Sequence, residues 1–301
     1  MKLPLCILVL VLCSVVIGQA AQEPQTIEPT KPIEREISGG ESHTYQINLT
    51  AGQFVRLRLD QRAIDGSLTL NAEDSKPSDN KRPIEMNLTG VGEEESLLFE
   101  AANSGSYRIT VRGVGVATPR GSYCLEVLVH PTASSQDRKR LAAQALMLEA
   151  YELKKQEAKG AQQVVENSEK ALAIFRELAE PVWIAYALFM TGEAYLDLDQ
   201  PEKAIGFYEQ TLAISRESNF RAREALAISA LGKTCYQQRR YEKAIEYYEQ
   251  ALPIKRELKD RDGEGETLIG LGVTYLTLRR FEKVGSEHRL SIDERNRLFS
   301  S

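Results

Sequence analysis

A 40-residue period in the C-terminal half constrains this chain more than any other feature, because a self-similar segment folds as a stack of like units. Glycines recur at Gly192, Gly232 and Gly272, small apolar residues at Ala204, Ala244 and Val284, and ring residues at Tyr208, Tyr248 and His288. The strings QPEKAIGFYEQTLAISRE and RYEKAIEYYEQALPIKRE differ mainly where solvent tolerates change. Each copy reads as two antiparallel helices, A and B. Gly192 and Ala204 are small where the two approach, and Tyr195 and Tyr208 fill the space beside them. One such hairpin leaves an apolar face open, so roughly three are needed before the stack is stable.

Within one copy, Ala185, Leu188, Gly192, Tyr195, Ala204, Tyr208, Thr211 and Leu212 fall at the packing positions of the tetratricopeptide repeat, and residues 185 to 257 resemble that family. The period exceeds the usual ~34 by about six residues. The surplus is assigned to longer helices and to the connectors ESNFRAREA and LKDRDGEGE, and it is similar to that of kinesin-light-chain-like arrays. Four copies are expected: a degenerate repeat over 136–178, repeats over 185–217 and 225–257, and a partial repeat over 265–298. In the first, Val164, Leu172 and Ile174 stand 40 before Ala204, Leu212 and Ile214, but Glu152 replaces the glycine, as in a capping repeat. The last keeps Phe281, Val284 and Ile292 but has His288 and Glu294 where tyrosine and isoleucine stood. It reads either as a polar terminal cap or as the point where a longer natural chain was cut.

The resemblance implies a concave surface built from helix A, which maps onto Tyr186, Phe189, Glu193, Ser229, Lys233, Gln237, Ile269 and Val273. Tyr186 and Phe189 are the expected aromatic anchors for an extended peptide, and Glu209 and Glu249 are expected on the outer face. In kinesin-light-chain-like repeats an Asn-Asn pair holds the peptide backbone; here Phe189-Met190, Ser229-Ala230 and Ile269-Gly270 replace it. That departure favours apolar contact. Two readings follow: a ligand groove, or a face packed against the rest of the chain.

From about residue 34 to 131 the pattern has period two. HTYQINLT, QFVRLRLD, GSLTLNA, ESLLFEA, GSYRITVRG and GSYCLEVLVH are separated by Gly, Asn, Ser and Pro clusters, which argues an antiparallel β-sandwich. The opening ISGGESHTYQINLTAGQFVRLRLDQ and the closing EAANSGSYRITVRG resemble the prepeptidase-type jelly-roll modules of exported bacterial proteins, which implies an accessory module without a catalytic group. HPTASS breaks the composition, and Ser134 or Ser135 is expected to cap a helix starting near Gln136. The abrupt change of period there predicts two units that fold separately. The fold class is thus multidomain: a jelly-roll-like antiparallel β-sandwich followed by an all-α tetratricopeptide superhelix.

Residues 1–21 carry Lys2, an apolar run from Leu3 to Ile17 and then GQAA, the order of a secretory signal. The run is shorter than the ~20 residues that span a bilayer. Cleavage, a spacer over 22–33 and a periplasmic or extracellular location are expected, with no membrane span after removal of the signal. The whole arrangement resembles the N-terminal part of bacterial proteins that end in a CHAT domain, a caspase-like fold. No cysteine follows Cys235, so the His/Cys pair which that chemistry requires is missing.

A net charge of −5 with Lys and Arg interspersed among Asp and Glu argues against nucleic acid as a partner. Cys124 and Cys235 read as small buried hydrophobes, one in each unit. His43, His130 and His288 have no metal-ligand spacing and read as surface or turn residues. GVGVATPRG from Gly113 lacks the final glycine of a dinucleotide loop and reads as a hairpin loop. Asn48-Leu49-Thr50 and Asn87-Leu88-Thr89 fit the glycosylation pattern but lie in strand-like runs. No catalytic group, metal or cofactor is expected. The reading is an exported, non-enzymatic scaffold for a protein or peptide, with the regulatory half of a CHAT protease system and a carbohydrate- or envelope-binding module as alternatives. Its oligomeric state is left open.

Overall fold

The computed structural model describes residues 24–29, 31–72, 84–86, 94–114, 120–155 and 160–298, with side chains described as far as residue 280. The expected export segment, the polar loop after Ala72, Asn87-Leu88-Thr89 and the middle of GVGVATPRG lie outside the described residues.

The strands are β1 Gln25–Thr26, β2 Ile33–Ile37, β3 Ser42–Leu49, β4 Phe54–Arg62, β5 Gly66–Ala72, β6 Ile84–Met86, β7 Glu94–Glu100, β8 Gly105–Gly113 and β9 Gly121–His130. They form two sheets, ordered β1-β3-β8-β5-β6 and β2-β9-β4-β7. Every pairing is antiparallel except that of the short edge strand β1, which runs parallel to β3. Alternation decides the faces. Val55, Leu57 and Leu59 of β4 lie level with Val129, Val127 and Leu125 of β9 and point into the space between the sheets. Fully burying one such side chain contributes about 1.5–3 kcal/mol.

Seven helices follow: α1 Ser135–Lys154, α2 Ala161–Glu177, α3 Pro181–Asp197, α4 Pro201–Glu217, α5 Arg221–Gln237, α6 Tyr241–Leu258 and α7 Arg261–Leu298. Ser134 starts the array. Its hydroxyl accepts from the Asp137 amide at 3.1 Å, while the Asp137 carboxylate accepts the Ser134 amide at 3.0 Å, closing a reciprocal cap on two otherwise orphan donors.

The turns repeat every 20 residues. Ala179, Asp199, Asn219, Arg239 and Lys259 each take the left-handed conformation, with φ between 53° and 61°. The residue after each donates its amide back to the carbonyl five positions earlier, as from Gln200 to Tyr195 at 2.9 Å and from Arg240 to Cys235 at 2.9 Å, the bond that ends a helix in a Schellman turn. Two helices of 17 or 18 residues and two short turns make up the period. The surplus over the usual repeat therefore lies in the helices; ESNFRAREA and LKDRDGEGE are almost entirely helix ends.

The expected fourth hairpin is different. The next left-handed turn would fall at Arg279, but α7 continues as a single 38-residue helix to Leu298. The helix runs through Arg279 and Arg280, although the like pair Arg239-Arg240 forms the equivalent turn one repeat earlier.

Sandwich and array share one apolar core. Buried residues from between the sheets are continuous with Ala143, Met147 and Ala150 of α1, Val164 and Phe175 of α2, and Tyr186 and Leu188 of α3. Phe54, on the outer face of the second sheet, packs with Leu98, Ala133 and Leu141. At the sheet's exposed edge the buried Gln144 side chain stands in for a strand. Its carbonyl accepts the Leu98 amide at 2.8 Å, and its amide donates to the Leu98 carbonyl at 2.8 Å. An open edge of unpaired backbone is thereby closed. The two units expected to fold separately are joined across this seam.

Candidate partner-binding face

The helix A positions on the concave side run from α3 through α5 to α7, and they divide by position along the array. Tyr186, on α3, is 4% exposed. Its ring meets Trp183 edge-on at 6.1 Å, and Trp183 stacks on Phe175 at 5.2 Å. The buried Arg223 guanidinium lies 5.2 Å from the Tyr186 ring centre and 5.7 Å from that of Phe189. Across a narrow cleft stand Arg56, Glu94, Glu95 and Ser96 of β4 and β7. Burial holds the Tyr186 phenol far above its usual range, so it stays protonated.

Phe189 is half-buried, with its ring tilted on Tyr208 at 5.5 Å. Glu193 turns toward its own hairpin: it accepts from the Tyr208 hydroxyl at 2.6 Å and stands 3.8 Å from the Lys154 ammonium. Burial and the Glu193 charge together push the Tyr208 phenol up. These three residues are occupied by internal contacts. The sheet sits where an extended ligand over Tyr186 would lie, and the second reading of the concave face, packing against the rest of the chain, describes the end nearest the sandwich.

Beyond the sandwich the face opens. Ser229 is half-buried, Lys233 and Gln237 on α5 are exposed, and Ile269 and Val273 on α7 are 68% and 43% exposed. Leu276, 71% exposed, extends the same stripe one turn further. Sequence reasoning passed over Leu276, although its spacing of seven from Ile269 was a usable signal. It also missed Arg223 and Gln144, whose burial depends on a partner surface no local pattern encodes. On the outer side Glu209 is exposed, while Glu249 accepts from the Tyr275 hydroxyl at 3.0 Å.

Elsewhere His43 is half-buried rather than a surface residue, whereas His130 is exposed as expected. His43 Nδ1 lies 2.8 Å from the Tyr123 hydroxyl, which is 2.5 Å from that of Tyr45, and His130 stacks near Phe54 at 6.2 Å. Burial, with Arg35 nearby, lowers the His43 pKa. Cys235 is buried and Cys124 half-buried, neither in a disulfide. Among the described residues no group of three or more His, Cys, Asp and Glu side chains is placed to hold a metal ion, and no helix is long and apolar enough to cross a membrane.

Among solved structures, the prepeptidase C-terminal domain of a Bacillus anthracis collagenase is 19% identical, covering 36% of this chain and 99% of that one with a TM-score of 0.30. A signal-transduction ATPase with a tetratricopeptide-repeat sensor from Pyrococcus horikoshii is 25% identical over 48% of this chain and 23% of its own, with a TM-score of 0.41. The Sgt2 repeat domain from Aspergillus fumigatus is 21% identical over 47% of this chain and 82% of its own, with a TM-score of 0.37. The chain thus spans about a quarter of the length of the ATPase. No curated protein matches the chain. Two family models, both described as tetratricopeptide repeat, match residues 187–222 and 223–284. The helices from α3 into α7 are therefore tetratricopeptide repeats.

Proposed function

We propose that this chain is an exported, non-enzymatic scaffold that takes a peptide or protein segment on the open stretch of its concave face, between α5 and α7. The observation that carries this reading is the rise in exposure along equivalent positions, from half-buried Phe189 and Ser229 to Ile269, 68% exposed. Tyr186, nearest the sandwich, is covered, whereas Ile269, Val273 and Leu276 form an apolar stripe beside Lys233 and Gln237. Apolar area flanked by a cation and an amide suits an extended segment with apolar side chains and an acidic or polar residue. Export rests on the charge, apolar-core and small-residue order of residues 1–21.

The test is capture from an envelope extract by residues 22–301, followed by binding of the recovered partner in isolation. Ile269→Asp with Val273→Asp is expected to weaken binding at least tenfold, or ~1.4 kcal/mol, with helical content unchanged. Glu209→Ala on the outer face is expected to leave it intact. Equal binding by the Ile269/Val273 variant, or loss in the Glu209 variant, would move the site off the concave face. Localisation is tested by fractionation: a full-length chain retained in the cytoplasm removes the export reading.

A further inference from the structure

The concave positions held by Val182 and Tyr186 on α3 recur 40 and 80 residues later, and their chemistry changes in step. The first becomes Ala222 on α5 and Asp262 on α7; the second becomes Leu226 and Glu266. Apolar side chains stand where the face begins, and carboxylates where it opens. Leu226 and Glu266 come three residues before Ser229 and Ile269 and seven before Lys233 and Val273. That spacing puts them on the same helix faces, one turn closer to the sandwich.

The residues of the two later copies line one cavity of about 220 Å³, several times the ~30 Å³ that a water takes in the liquid. Its opposite wall is the sandwich, through Ala63 and Asp65 between β4 and β5 and Val114 just after β8. Asp65 Oδ1 is buried there without a hydrogen bond. Burial, then the charges of Asp260 and Asp262, hold this carboxyl up at about 6. A buried carboxylate facing like charges gains from an added cation. The nearby cations are engaged or solvated. Lys255 Nζ and Asp260 Oδ2 both meet the space where a Cβ on Gly263 would stand, so their charges offset each other. The Arg261 guanidinium donates to Glu264 at 3.2 Å, and the Lys259 side chain is exposed.

We propose that this cavity is the end of the open groove and takes a basic side chain, lysine or arginine, of the bound segment. The proposal rests on the concave-face reading and adds a charge requirement to it. Asp65 is the buried acceptor, Asp262 and Glu266 stand at the exposed rim, and Leu226 flanks the aliphatic stem. From Glu266 to Val273 is about 10 Å of helix at ~1.5 Å per residue, which about three residues of extended chain cover at ~3.3 Å each. The basic residue and the apolar residue over Val273 therefore stand about three positions apart.

The probes are three fluorescein-labelled serine-based peptides with two leucines at alternate positions and arginine, citrulline or glutamate three positions before the second leucine. Each is titrated into residues 22–301 and followed by anisotropy. The arginine peptide is expected to bind at least tenfold more tightly than the citrulline peptide, and the glutamate peptide more weakly than either. Asp65→Asn and Glu266→Gln remove charge with little change of volume. Together they are expected to bring the arginine peptide to the affinity of the citrulline peptide and to leave the latter unchanged. Ile269→Ser with Val273→Ser is expected to weaken all three. Equal binding of the arginine and citrulline peptides, or an arginine preference that survives Asp65→Asn with Glu266→Gln, overturns the basic-residue site; loss of binding in the Ile269/Val273 variant would then still support the groove. Binding of none of the peptides, or binding indifferent to the Ile269/Val273 change, removes the groove and the site with it.

Discussion

At the residue scale, the glycines of the array carry different energetic weights although they stand in similar helices. Gly232 leaves room for the Tyr248 ring, which packs close enough to push its phenol up to about 12 through burial. Gly232→Ala is expected to cost about 1–3 kcal/mol by overpacking. Gly206, in the middle of α4, has nothing within 4 Å of an added Cβ, so Gly206→Ala is expected to stabilise by about 0.5–1 kcal/mol through helix propensity. Thermal or urea unfolding of the two variants checks both signs; a Gly232 variant as stable as the parent would mean the helix A to helix B register is wrong. Tyr186→Ala removes a fully packed ring and is expected to destabilise by about 3 kcal/mol. Its value as an anchor for a partner was inferred from helical position. Position on the concave side was legible in the sequence; occupation by a sheet 90 residues earlier was not.

Asp65 provides a pH-dependent test at the same scale. Burial, then the nearby charges of Asp260 and Asp262, raise its carboxyl from 3.8 to about 6. One of its oxygens is buried without a hydrogen bond. A raised carboxyl pKa means the folded chain holds this proton more tightly than the unfolded chain. The contribution is therefore fully present below about pH 4 and is lost as pH rises through about 6. Asp65→Asn is accordingly expected to gain about 1–3 kcal/mol relative to the parent at pH 7 and little at pH 4. Urea unfolding at the two pH values measures this, and a gain of equal size at both would remove titration as the cause.

At the element scale, the period, the helix pairs and the strand alternation could all be read in advance because each follows from local spacing. The glycine-to-tyrosine contacts, the capping box at Ser134 and the inward set of β4 are direct consequences of residue order. The turns were harder. Asp199, Asn219 and Arg239 adopt left-handed backbone without glycine, and only their regular spacing of 20 betrays them. The path of α7 was illegible because TLRRFEKV repeats the Arg-Arg of QQRRYEKA, where Arg239 takes the left-handed turn, and no local residue choice tells the two apart. Gln144 is a further element-level device with a measurable cost. Gln144→Ala leaves both Leu98 backbone groups buried and unpaired at the β7 edge, and is expected to destabilise by about 2–4 kcal/mol. Gln144→Leu is expected to do the same, because apolar volume does not replace the two hydrogen bonds. Chemical denaturation separates this from a simple cavity effect, since the leucine variant would be nearly neutral if only packing mattered.

At the scale of the whole molecule, the sandwich acts as the cap of the repeat array. Repeat arrays need a terminal unit to cover the first open face, and here the second sheet covers it. Phe54 and Leu98 pack on α1, Gln144 is bound to β7, and the core runs without a break from between the sheets into α3. That arrangement also bears on the proposed binding face, because it closes one end of the concave side at Tyr186 and leaves Ile269 and Val273 exposed at the other. The most direct measurement compares residues 134–301 with residues 22–301 by circular dichroism during thermal unfolding. If the sandwich is the cap, residues 22–301 unfold in one cooperative transition seen alike by helix and strand signals, and residues 134–301 alone lose helical signal and unfold at lower temperature. If residues 134–301 instead melt at the same temperature and with the same helical content per residue as they do within the longer chain, the shared core does not hold the array together and the sandwich is an independent neighbour.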